Sequence, residues 1–405
     1  MKAKKLPVIN DPIYGFIGIN SPLVFDLIAH PYFQRLRRIS QMGLSSLVFP
    51  SARHSRFEHA LGAMHLMHVA VETLKKKGIV ISKAEQEALE VAILLHDIGH
   101  GPFSHAMENS LFVNEDHEDV SLEFMKLLNE KFEGRLTLAI QIYQNKYERK
   151  FMHQLVASQL DIDRLDYLKR DSFFTGATEG NINTQRIIEM MHVADDRLVI
   201  EENGLYSVEK FLMARRLMYW QVYLHKTGLA AELLLSQIIQ YIRKIDKKNL
   251  EIPLTYPLSH FFSNRNLDVS NPLDLHHFSL LDDTDIITAL KQWQSQPDKT
   301  LAFLTKGLLY RKLPKIEIQA TPFSNKQIEN IRNKLRTKGL PDTNLENFVF
   351  TNSIHCRIYD PNNSPIWILD KSGTVKSLDK VSSMFSNESI HKQETKYFLC
   401  AAQAN

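Results

Sequence analysis

The sequence predicts a mainly α-helical protein, with a helical core and a smaller C-terminal α+β lobe. Apolar residues recur at three- and four-residue spacings through most of the first 245 residues, which is the period of a helix face. After Lys312 the pattern changes to short β-like runs separated by turn residues such as Asp360-Pro361-Asn362-Asn363. We therefore predict three parts: a core at 1–250, a helical extension at 251–308 and the α+β lobe at 309–405.

The composition is that of an ordinary soluble globular protein, with 44% hydrophobic and 23% charged residues. The net charge of +3 is too small to indicate a protein that binds duplex nucleic acid. The two cysteines, Cys356 and Cys400, cannot form a disulfide framework or a cysteine-rich zinc module, so we expect a reducing, cytoplasmic location. The sequence shows neither a signal-peptide pattern nor a long apolar run, so we expect no membrane association.

The elements follow from local signals taken in order. Loose alternation with Pro12 and Gly15 predicts an extended or hairpin arm at 8–20, and prolines near the first turn predict short helices at 22–28 and 31–42. Apolar periodicity predicts helices at 56–74, 83–95, 117–130, 134–143, 151–171, 208–226, 228–244, 283–295 and 297–307. A loop is predicted at 175–185, a hairpin between 197–199 and 205–207, and β runs at 316–319, 348–351, 356–359, 365–369, 374–378 and 397–401.

Histidine is concentrated in one part of the chain: eight of the 17 histidines lie between His54 and His117. The densest stretch, residues 96–105, directly follows a predicted helix and contains the adjacent pair His96 and Asp97. Imidazole and carboxylate are common ligands of catalytic transition metals. Because neighbouring helical residues lie about 100° apart, both side chains can reach one ion. We therefore predict a metal site that takes further ligands from other helices.

Single residues in this region also have simpler interpretations. A lone histidine such as His59 is more often a packing residue than a ligand. Asp163, with an aspartate on either side, is equally consistent with a solvated acidic helix face. The basic run 34–38 is consistent either with a solvated helix face or with contact to phosphates at a subunit boundary.

Three motifs, met in order along the chain, narrow these alternatives. They are Arg-Phe-Glu-His-Ala-Leu-Gly at 56–62, His-Asp-Ile-Gly-His-Gly-Pro-Phe-Ser-His at 96–105, and Asp-Ile-Asp-Arg-Leu-Asp-Tyr-Leu-Lys-Arg-Asp at 161–171. Together they resemble the motifs of the HD-domain phosphohydrolases, most closely the dGTPase-like branch of dNTP triphosphohydrolases that includes the SAM- and HD-domain restriction enzyme. The resemblance covers about residues 8–245, and no SAM domain is visible. It implies that the helical core is an HD domain.

The resemblance implies that one divalent metal ion is bound by His59, His96, Asp97 and Asp163. The residues do not distinguish Fe, Mn, Zn, Ni and Mg, and they are compatible with a second Mg²⁺ ion that is bound with the triphosphate. The implied reaction is hydrolysis of a dNTP to deoxynucleoside and triphosphate, by attack of a metal-activated water on the α-phosphorus.

The resemblance also implies roles for other side chains. An imidazole titrates near neutrality and can exchange a proton with the attacking water or the leaving oxygen. The residues implied in catalysis are His100, His105 and His117, with Glu118 beside His117 to orient it, and the identity of the principal base stays open. The residues implied in substrate binding are the phosphate-binding Arg56 and Arg164, the sugar- or base-packing Tyr167, the 3′-hydroxyl partners Gln41 and Asp171, and the outer-wall residues Arg215, Tyr223 and His225. The last three are equally consistent with an amphipathic core helix.

Other functions remain open at this point. The same metal chemistry would serve a phosphomonoesterase or phosphodiesterase that acts on another nucleotide. A non-catalytic regulator could bind nucleotides or single-stranded nucleic acid through the basic run 34–38, although nucleic acid is not the predicted partner. The resemblance further implies a homo-oligomer, either a dimer or a tetramer. Ala29 and Pro7 replace an acidic residue and a lysine of the nucleotide-activated members, which argues against guanine-nucleotide activation.

Overall fold

The computed structural model describes residues 7–103, 106–107, 110–112, 116–245, 252–263, 267–337, 345–386 and 393–403. It confirms the predicted fold class, since helices dominate and the strands form small sheets. Within the first 245 residues the helices are α1 (Pro22–Ala29), α2 (Pro31–Gln34), α3 (Arg56–Lys76), α4 (Lys83–Leu95), α5 (His117–Lys131), α6 (Thr137–Tyr143), α7 (Lys150–Val156), α8 (Ile162–Thr175), α9 (Thr184–Glu189), α10 (Leu205–Met218) and α11 (Lys226–Lys244).

The remaining elements complete the extension and the C-terminal part. The helices are α12 (Tyr256–Ser263), α13 (Pro272–Leu280), α14 (Asp283–Trp293), α15 (Lys299–Leu309), α16 (Asn325–Arg336), α17 (Leu345–Phe348) and α18 (Leu378–Val381). The strands are β1 (Val8–Asp11), β2 (Gly15–Gly18), β3 (Met191–Ala194), β4 (Arg197–Glu201), β5 (Lys315–Gln319), β6 (Val349–Cys356), β7 (Trp367–Leu369), β8 (Val375–Ser377) and β9 (Glu394–Ala401). No helix in these described ranges is both long and apolar enough to cross a membrane.

Helix α3 lies at the centre of the core and packs against both α4 and α8. Its start is fixed by Glu58, whose carboxylate accepts hydrogen bonds from the backbone N–H and the hydroxyl of Ser55, as in a capping box. Ala60, Met67 and Val71 are fully buried, in agreement with the predicted apolar face. This packing brings the start of α3, the end of α4 and the start of α8 to one place.

The single helix predicted at 151–171 is wrong, because the chain forms α7 and α8 with a break between them. Asp161 causes the break: its carboxylate accepts hydrogen bonds from Ser158 N and Arg164 N, both at 2.8 Å. A side chain that bonds nearby backbone groups in this way competes with helix continuation and caps the next helix. The break directs residues 157–161 towards the rim of the cavity described below.

The predicted hairpin between 197–199 and 205–207 is also wrong. Strand β4 pairs with β3 instead, and the segment 205–207 is the first turn of α10. The two strands are joined by Asp195 and Asp196, whose φ angles are 50° and 57°. Two consecutive positive φ angles are what a tight type I′ hairpin turn requires, and aspartate tolerates them better than most residues.

The strands of the C-terminal part contribute to two different sheets. Strands β5, β9 and β6 form one antiparallel sheet, in which β6 is a single strand where two runs were predicted. Strand β7 instead pairs in parallel with β4, so that the second sheet has the order β3-β4-β7-β8. The predicted boundaries at 250 and 308 stay predictions, but the segment around β7 shares a sheet with the helical core.

The basic run 34–38 is not a uniform surface patch. Helix α2 ends at Gln34, earlier than predicted, and a 3₁₀ turn follows. Arg35 is 1% exposed and donates hydrogen bonds to the carbonyls of Leu281, Ile98 and His100 at 2.8–3.0 Å. Arg35 therefore fixes the backbone that follows α4, and neither a solvated face nor a phosphate contact describes it.

Candidate active site

Three predicted metal ligands converge where α3, α4 and α8 meet. One ligand atom from each of His59, His96 and Asp163 lies within 4.8 Å of the others. The Oδ1 atom of Asp163 is 3.0 Å from His59 Nε2 and 3.3 Å from His96 Nε2. The alternative interpretation, in which Asp163 and the neighbouring aspartates form a solvated acidic helix face, is wrong for Asp161 and Asp166, because both are fully buried.

The two imidazoles are oriented as metal-binding histidines usually are. His59 Nδ1 donates to Asp166 Oδ2 at 2.7 Å, and His96 Nδ1 donates to the carbonyl of Ile93 at 2.6 Å. Each bond leaves the Nε2 lone pair pointing towards Asp163, and within the described ranges both Nε2 atoms are buried without a hydrogen bond. Two buried nitrogen lone pairs and one carboxylate are a suitable donor set for a divalent transition metal.

His59 is held by a buried chain of ion pairs. The Asp166 carboxylate, besides binding His59, accepts from Arg170 Nε and Nη2 at 2.9 and 3.0 Å, and Arg170 Nη1 donates to Asp11 Oδ2 at 2.8 Å. Burial lowers the pKa of His59, but the two carboxylates of Asp163 and Asp166 more than offset this and raise it to about 10, so a metal ion that binds Nε2 would displace a proton from this ring. The N-terminal hairpin is thereby connected to a candidate metal ligand by charged hydrogen bonds.

Asp97, the fourth predicted ligand, also lies in this cluster. Its carboxylate is 3.3 Å from His96 Nε2 and 3.8 Å from His59 Nε2, and it accepts a 2.5 Å hydrogen bond from Arg56. Burial raises the pKa of Asp97, but the nearby histidines and Arg56 hold it well below its usual range. Asp97 is therefore an anion here, as a ligand must be, and Arg56 contacts the ligand set directly.

The predicted catalytic residues are only partly described. His100 Nδ1 lies 3.5 Å from Asp97 Oδ1, and the rings of His100 and His117 are 3.9 Å apart. Asp116 Oδ1 is 2.9 Å from His117 Nδ1, while Glu118, which was predicted to orient His117, lines the neighbouring cavity. His105 lies outside the described residues.

A cavity of about 770 Å³ opens beside this cluster. Of the predicted site residues it is lined by His96, Asp97, His117, Glu118, Asp163, Arg164 and Arg215. A volume of this size is typical of sites for molecules as large as nucleotides. Three of the predicted metal ligands, His96, Asp97 and Asp163, therefore share one concave site with the catalytic candidate His117.

Apart from Arg215, the predicted sugar-binding and outer-wall residues do not line this cavity. Asp171 is 2% exposed, and its two oxygens bind His54 Nε2 at 2.7 Å and the hydroxyl of Tyr223 at 2.8 Å. His225 caps α11 by accepting from Thr227 N at 3.2 Å. These contacts give Asp171, Tyr223 and His225 structural partners, and their roles towards a substrate stay predictions.

The two remaining predicted substrate contacts, Tyr167 and Gln41, also do not line the cavity. The ring of Tyr167 lies between His59 and Tyr223, with centroid distances of 6.4 and 6.3 Å, and burial raises the pKa of its hydroxyl. Gln41 has a buried Oε1 atom without a hydrogen bond among the described residues. An amide oxygen in that condition is a good acceptor for a ligand hydroxyl group.

Sequence reasoning missed several residues of the site. Asp166 and Arg170 stand inside the third motif, and the four-residue spacing that makes them neighbours on a helix was a usable signal. The cavity is also lined by residues of the C-terminal part, namely Arg357, Asp360, Asn363 and Ser364. Nothing in the local sequence near 360 indicates that it reaches a site built around residue 96.

Family models match two consecutive parts of the chain. The HD domain matches residues 56–171, which contain all four predicted ligands, and the HD associated region matches residues 182–252. The first match begins at α3 and ends within α8, so it coincides with the three helices that form the site.

Individual proteins are similar over longer stretches. A crystal structure of a phosphohydrolase from Bacteroides thetaiotaomicron has 46% sequence identity and a TM-score of 0.94, covering 98% of this chain and 100% of that one. The uncharacterized protein YwfO of Bacillus subtilis is 33% identical over 77% of this chain and 72% of its own length. The deoxynucleoside triphosphate triphosphohydrolase SAMHD1 homolog of Dictyostelium discoideum is 33% identical over 58% of this chain, and the match spans about half (49%) of that relative.

Proposed function

The chain belongs to the HD-domain phosphohydrolases, and from this membership we propose that it hydrolyses deoxynucleoside triphosphates to deoxynucleoside and triphosphate. The observation that carries the proposal is the cluster of His59, His96 and Asp163, of which His96 and Asp163 line a cavity of about 770 Å³ and His59 is buried beside them. The similarity to the SAMHD1 homolog, which is named for this activity, supports the choice of substrate.

His59, His96, Asp97 and Asp163 would hold the divalent ion. When bound, such an ion supplies a Lewis acid for a phosphate oxygen and lowers the pKa of a water ligand. Arg56 would remain on Asp97 and fix its carboxylate, while Arg164, at the cavity wall, would bind a phosphate with its charged donors.

His117 is the candidate for proton transfer among the described residues. Its contact with Asp116 favours the neutral tautomer that carries its proton on Nδ1, and that tautomer can accept a proton at Nε2. His100, whose ring lies against that of His117, and His105 remain candidates for the same step. Glu118 is proposed as a cavity residue beside them.

An assay with all four dNTPs and separate divalent ions (Mg²⁺, Mn²⁺, Fe²⁺, Ni²⁺ and Zn²⁺) tests the proposal. We expect release of a deoxynucleoside together with intact tripolyphosphate, both identified by chromatography. Release of inorganic phosphate or of a nucleoside monophosphate would instead indicate a phosphomonoesterase or phosphodiesterase acting on another nucleotide. Absence of product with every ion would contradict the proposal and favour a nucleotide-binding regulator.

The Asp97→Ala variant tests the ligand set independently. We expect it to lose both bound metal and activity, by more than the roughly 10–100-fold typical of a residue that only supports a ligand. The matched control is Asp26→Ala, because Asp26 is exposed on α1. Retention of both metal and activity in folded Asp97→Ala would remove Asp97 from the ligand set.

Two expectations concern the protein as a whole. We propose a cytoplasmic homo-oligomer, dimer or tetramer, on the basis of the family and the cysteine content. Light scattering of the purified full chain would measure the oligomeric state.

A further inference from the structure

One wall of the candidate active site comes from a segment far from the family motifs. Residues 357–364, here called the C-terminal turn, connect β6 to the approach of β7. Four of its side chains line the same cavity as His96 and Asp163: Arg357, Asp360, Asn363 and Ser364. Residues of the HD domain and of this turn therefore line the same cavity.

The side chain of Gln159 attaches the C-terminal turn to the core. Its amide nitrogen lies 2.7 Å from the carbonyl oxygen of Asp360 and 2.8 Å from those of Asn363 and Ser364, and its Oε1 atom accepts from Asp360 N at 2.8 Å. Gln159 itself stands in the break between α7 and α8, four residues before Asp163. The position of the turn is thus tied to the helix that carries a metal ligand.

The ends of the turn are also fixed. Tyr359 is fully buried, and its hydroxyl accepts a hydrogen bond from Ile366 N at 3.2 Å. Asp360 accepts from Asn362 N at 3.1 Å and forms an ion pair with Arg357. A loop held by a buried aromatic side chain and by several backbone bonds can present a side chain in one place.

The cavity wall contains three arginine side chains. Arg164, Arg215 and Arg357 all line the cavity. Guanidinium groups bind phosphate oxygens with paired, charge-assisted hydrogen bonds. Of the three arginines, Arg357 is the one that the C-terminal turn contributes to the cavity.

From this arrangement we propose that Arg357 is a specificity-determining residue that binds a phosphate of the substrate other than the one at the metal site. The inference rests on the proposed function for the identity of the substrate, and it assigns to the C-terminal turn the recognition of a polyphosphate chain. Asp360 competes with that phosphate for the Arg357 guanidinium and sets the strength of binding.

Binding of inorganic tripolyphosphate to the full chain, measured by calorimetry in the presence of Mg²⁺, tests the assignment without requiring turnover. We expect Arg357→Ala to weaken tripolyphosphate binding and to raise the KM for a dNTP by about 10–100-fold, since a hydrogen-bonded ion pair with phosphate is lost. The kcat should change by less than about threefold, because the metal ligands and His117 are untouched. Arg332→Ala is the matched control, an arginine of α16 that does not line the cavity.

Asp360→Asn gives a change of the opposite sign. The asparagine retains an oxygen for Asn362 N but loses the charge that holds Arg357 and repels phosphate. We expect tripolyphosphate to bind several-fold more tightly to this variant. A purely structural role of the ion pair predicts instead that Asp360→Asn and Arg357→Ala weaken binding together, and that result would overturn the inference.

The outcomes for the two proposals are distinct. If the wild type hydrolyses dNTPs and Arg357→Ala changes neither KM nor tripolyphosphate binding, the inference about Arg357 fails and the proposed function stands. If no dNTP is hydrolysed but tripolyphosphate binding depends on Arg357, the proposed function fails and the phosphate site stands. If the wild type neither hydrolyses dNTPs nor binds tripolyphosphate, both are overturned.

Discussion

Replacement of Asp166 by asparagine changes the hydrogen bonds that orient a candidate metal ligand while keeping the size of the residue 166 side chain. The carboxylate accepts three hydrogen bonds: from His59 Nδ1 at 2.7 Å, from Arg170 Nε at 2.9 Å and from Arg170 Nη2 at 3.0 Å. An asparagine offers one oxygen and one NH₂ group in the same space. In either orientation an N–H donor of the amide faces another donor, so at least one of the three bonds is lost.

The expected effect has two components. Loss of a partner that orients a metal-binding histidine typically lowers metal affinity by about 10–100-fold. Breaking a buried ion pair from one side costs about 3–5 kcal/mol. Because Arg170 keeps its 2.8 Å bond to Asp11, we expect the lower part of this range, about 3 kcal/mol of unfolding free energy.

Metal affinity of Asp166→Asn is measured by competition with a chelator, and stability by urea unfolding, each against wild type. Asp26→Asn is the control for a change of charge at an exposed helix position. If folded Asp166→Asn binds metal as tightly as wild type, the orientation of His59 by Asp166 does not matter for the site, and the reasoning is refuted.

Two further substitutions test the packing and the electrostatics of the core. Gly62→Ala would place its Cβ atom 2.1 Å from Arg170 Nη2, so we expect the free energy of unfolding, measured with urea, to fall by about 3 kcal/mol or more. The control Gly228→Ala, whose Cβ would have no atom closer than 3.8 Å, should be neutral or slightly stabilising. Equal stabilities of the two variants would contradict this. Burial raises the pKa of Glu85, but hydrogen bonds, of which that from Arg149 is the strongest, lower it to about 2, which is below the value in the unfolded chain. The ionised carboxylate therefore stabilises the fold fully above about pH 4.5, and this stabilisation is lost as the pH falls towards 2. When the pH is lowered from 6 to 3, the free energy of unfolding of Glu85→Gln should therefore fall less than that of wild type, by on the order of 1 kcal/mol after solvent screening. Equal decreases in the two proteins would argue against the ionic contribution.

The errors of the sequence prediction have identifiable causes in side-chain chemistry. The long helix predicted at 151–171 kept a helical apolar spacing, but the carboxylate of Asp161 bonds backbone groups on both sides and ends the spacing there. The hairpin was placed too late because Asp195 and Asp196 were not read as a two-residue turn with positive φ angles. Both signals were present locally and could have been used.

Other features depended on partners that no local pattern identifies. Arg35 looked like part of an exposed basic run, and its burial follows from carbonyls at Ile98, His100 and Leu281. From sequence alone, an arginine is better predicted to be exposed than buried, because a buried charge without hydrogen-bond acceptors is strongly unfavourable.

The sequence by itself determined the fold class, helices α3 and α4, and the candidates His59, His96, Asp97 and Asp163. It could do so because helical periodicity, capping residues and short motifs are properties of neighbouring residues. Only the tertiary structure decided that Asp166 and Arg170 connect His59 to Asp11, and that Gln159 fixes a turn 201 residues further along the chain as a wall of the cavity. Contacts of that kind depend on which buried donors find acceptors when distant segments pack together, and no pattern of adjacent residues specifies that choice.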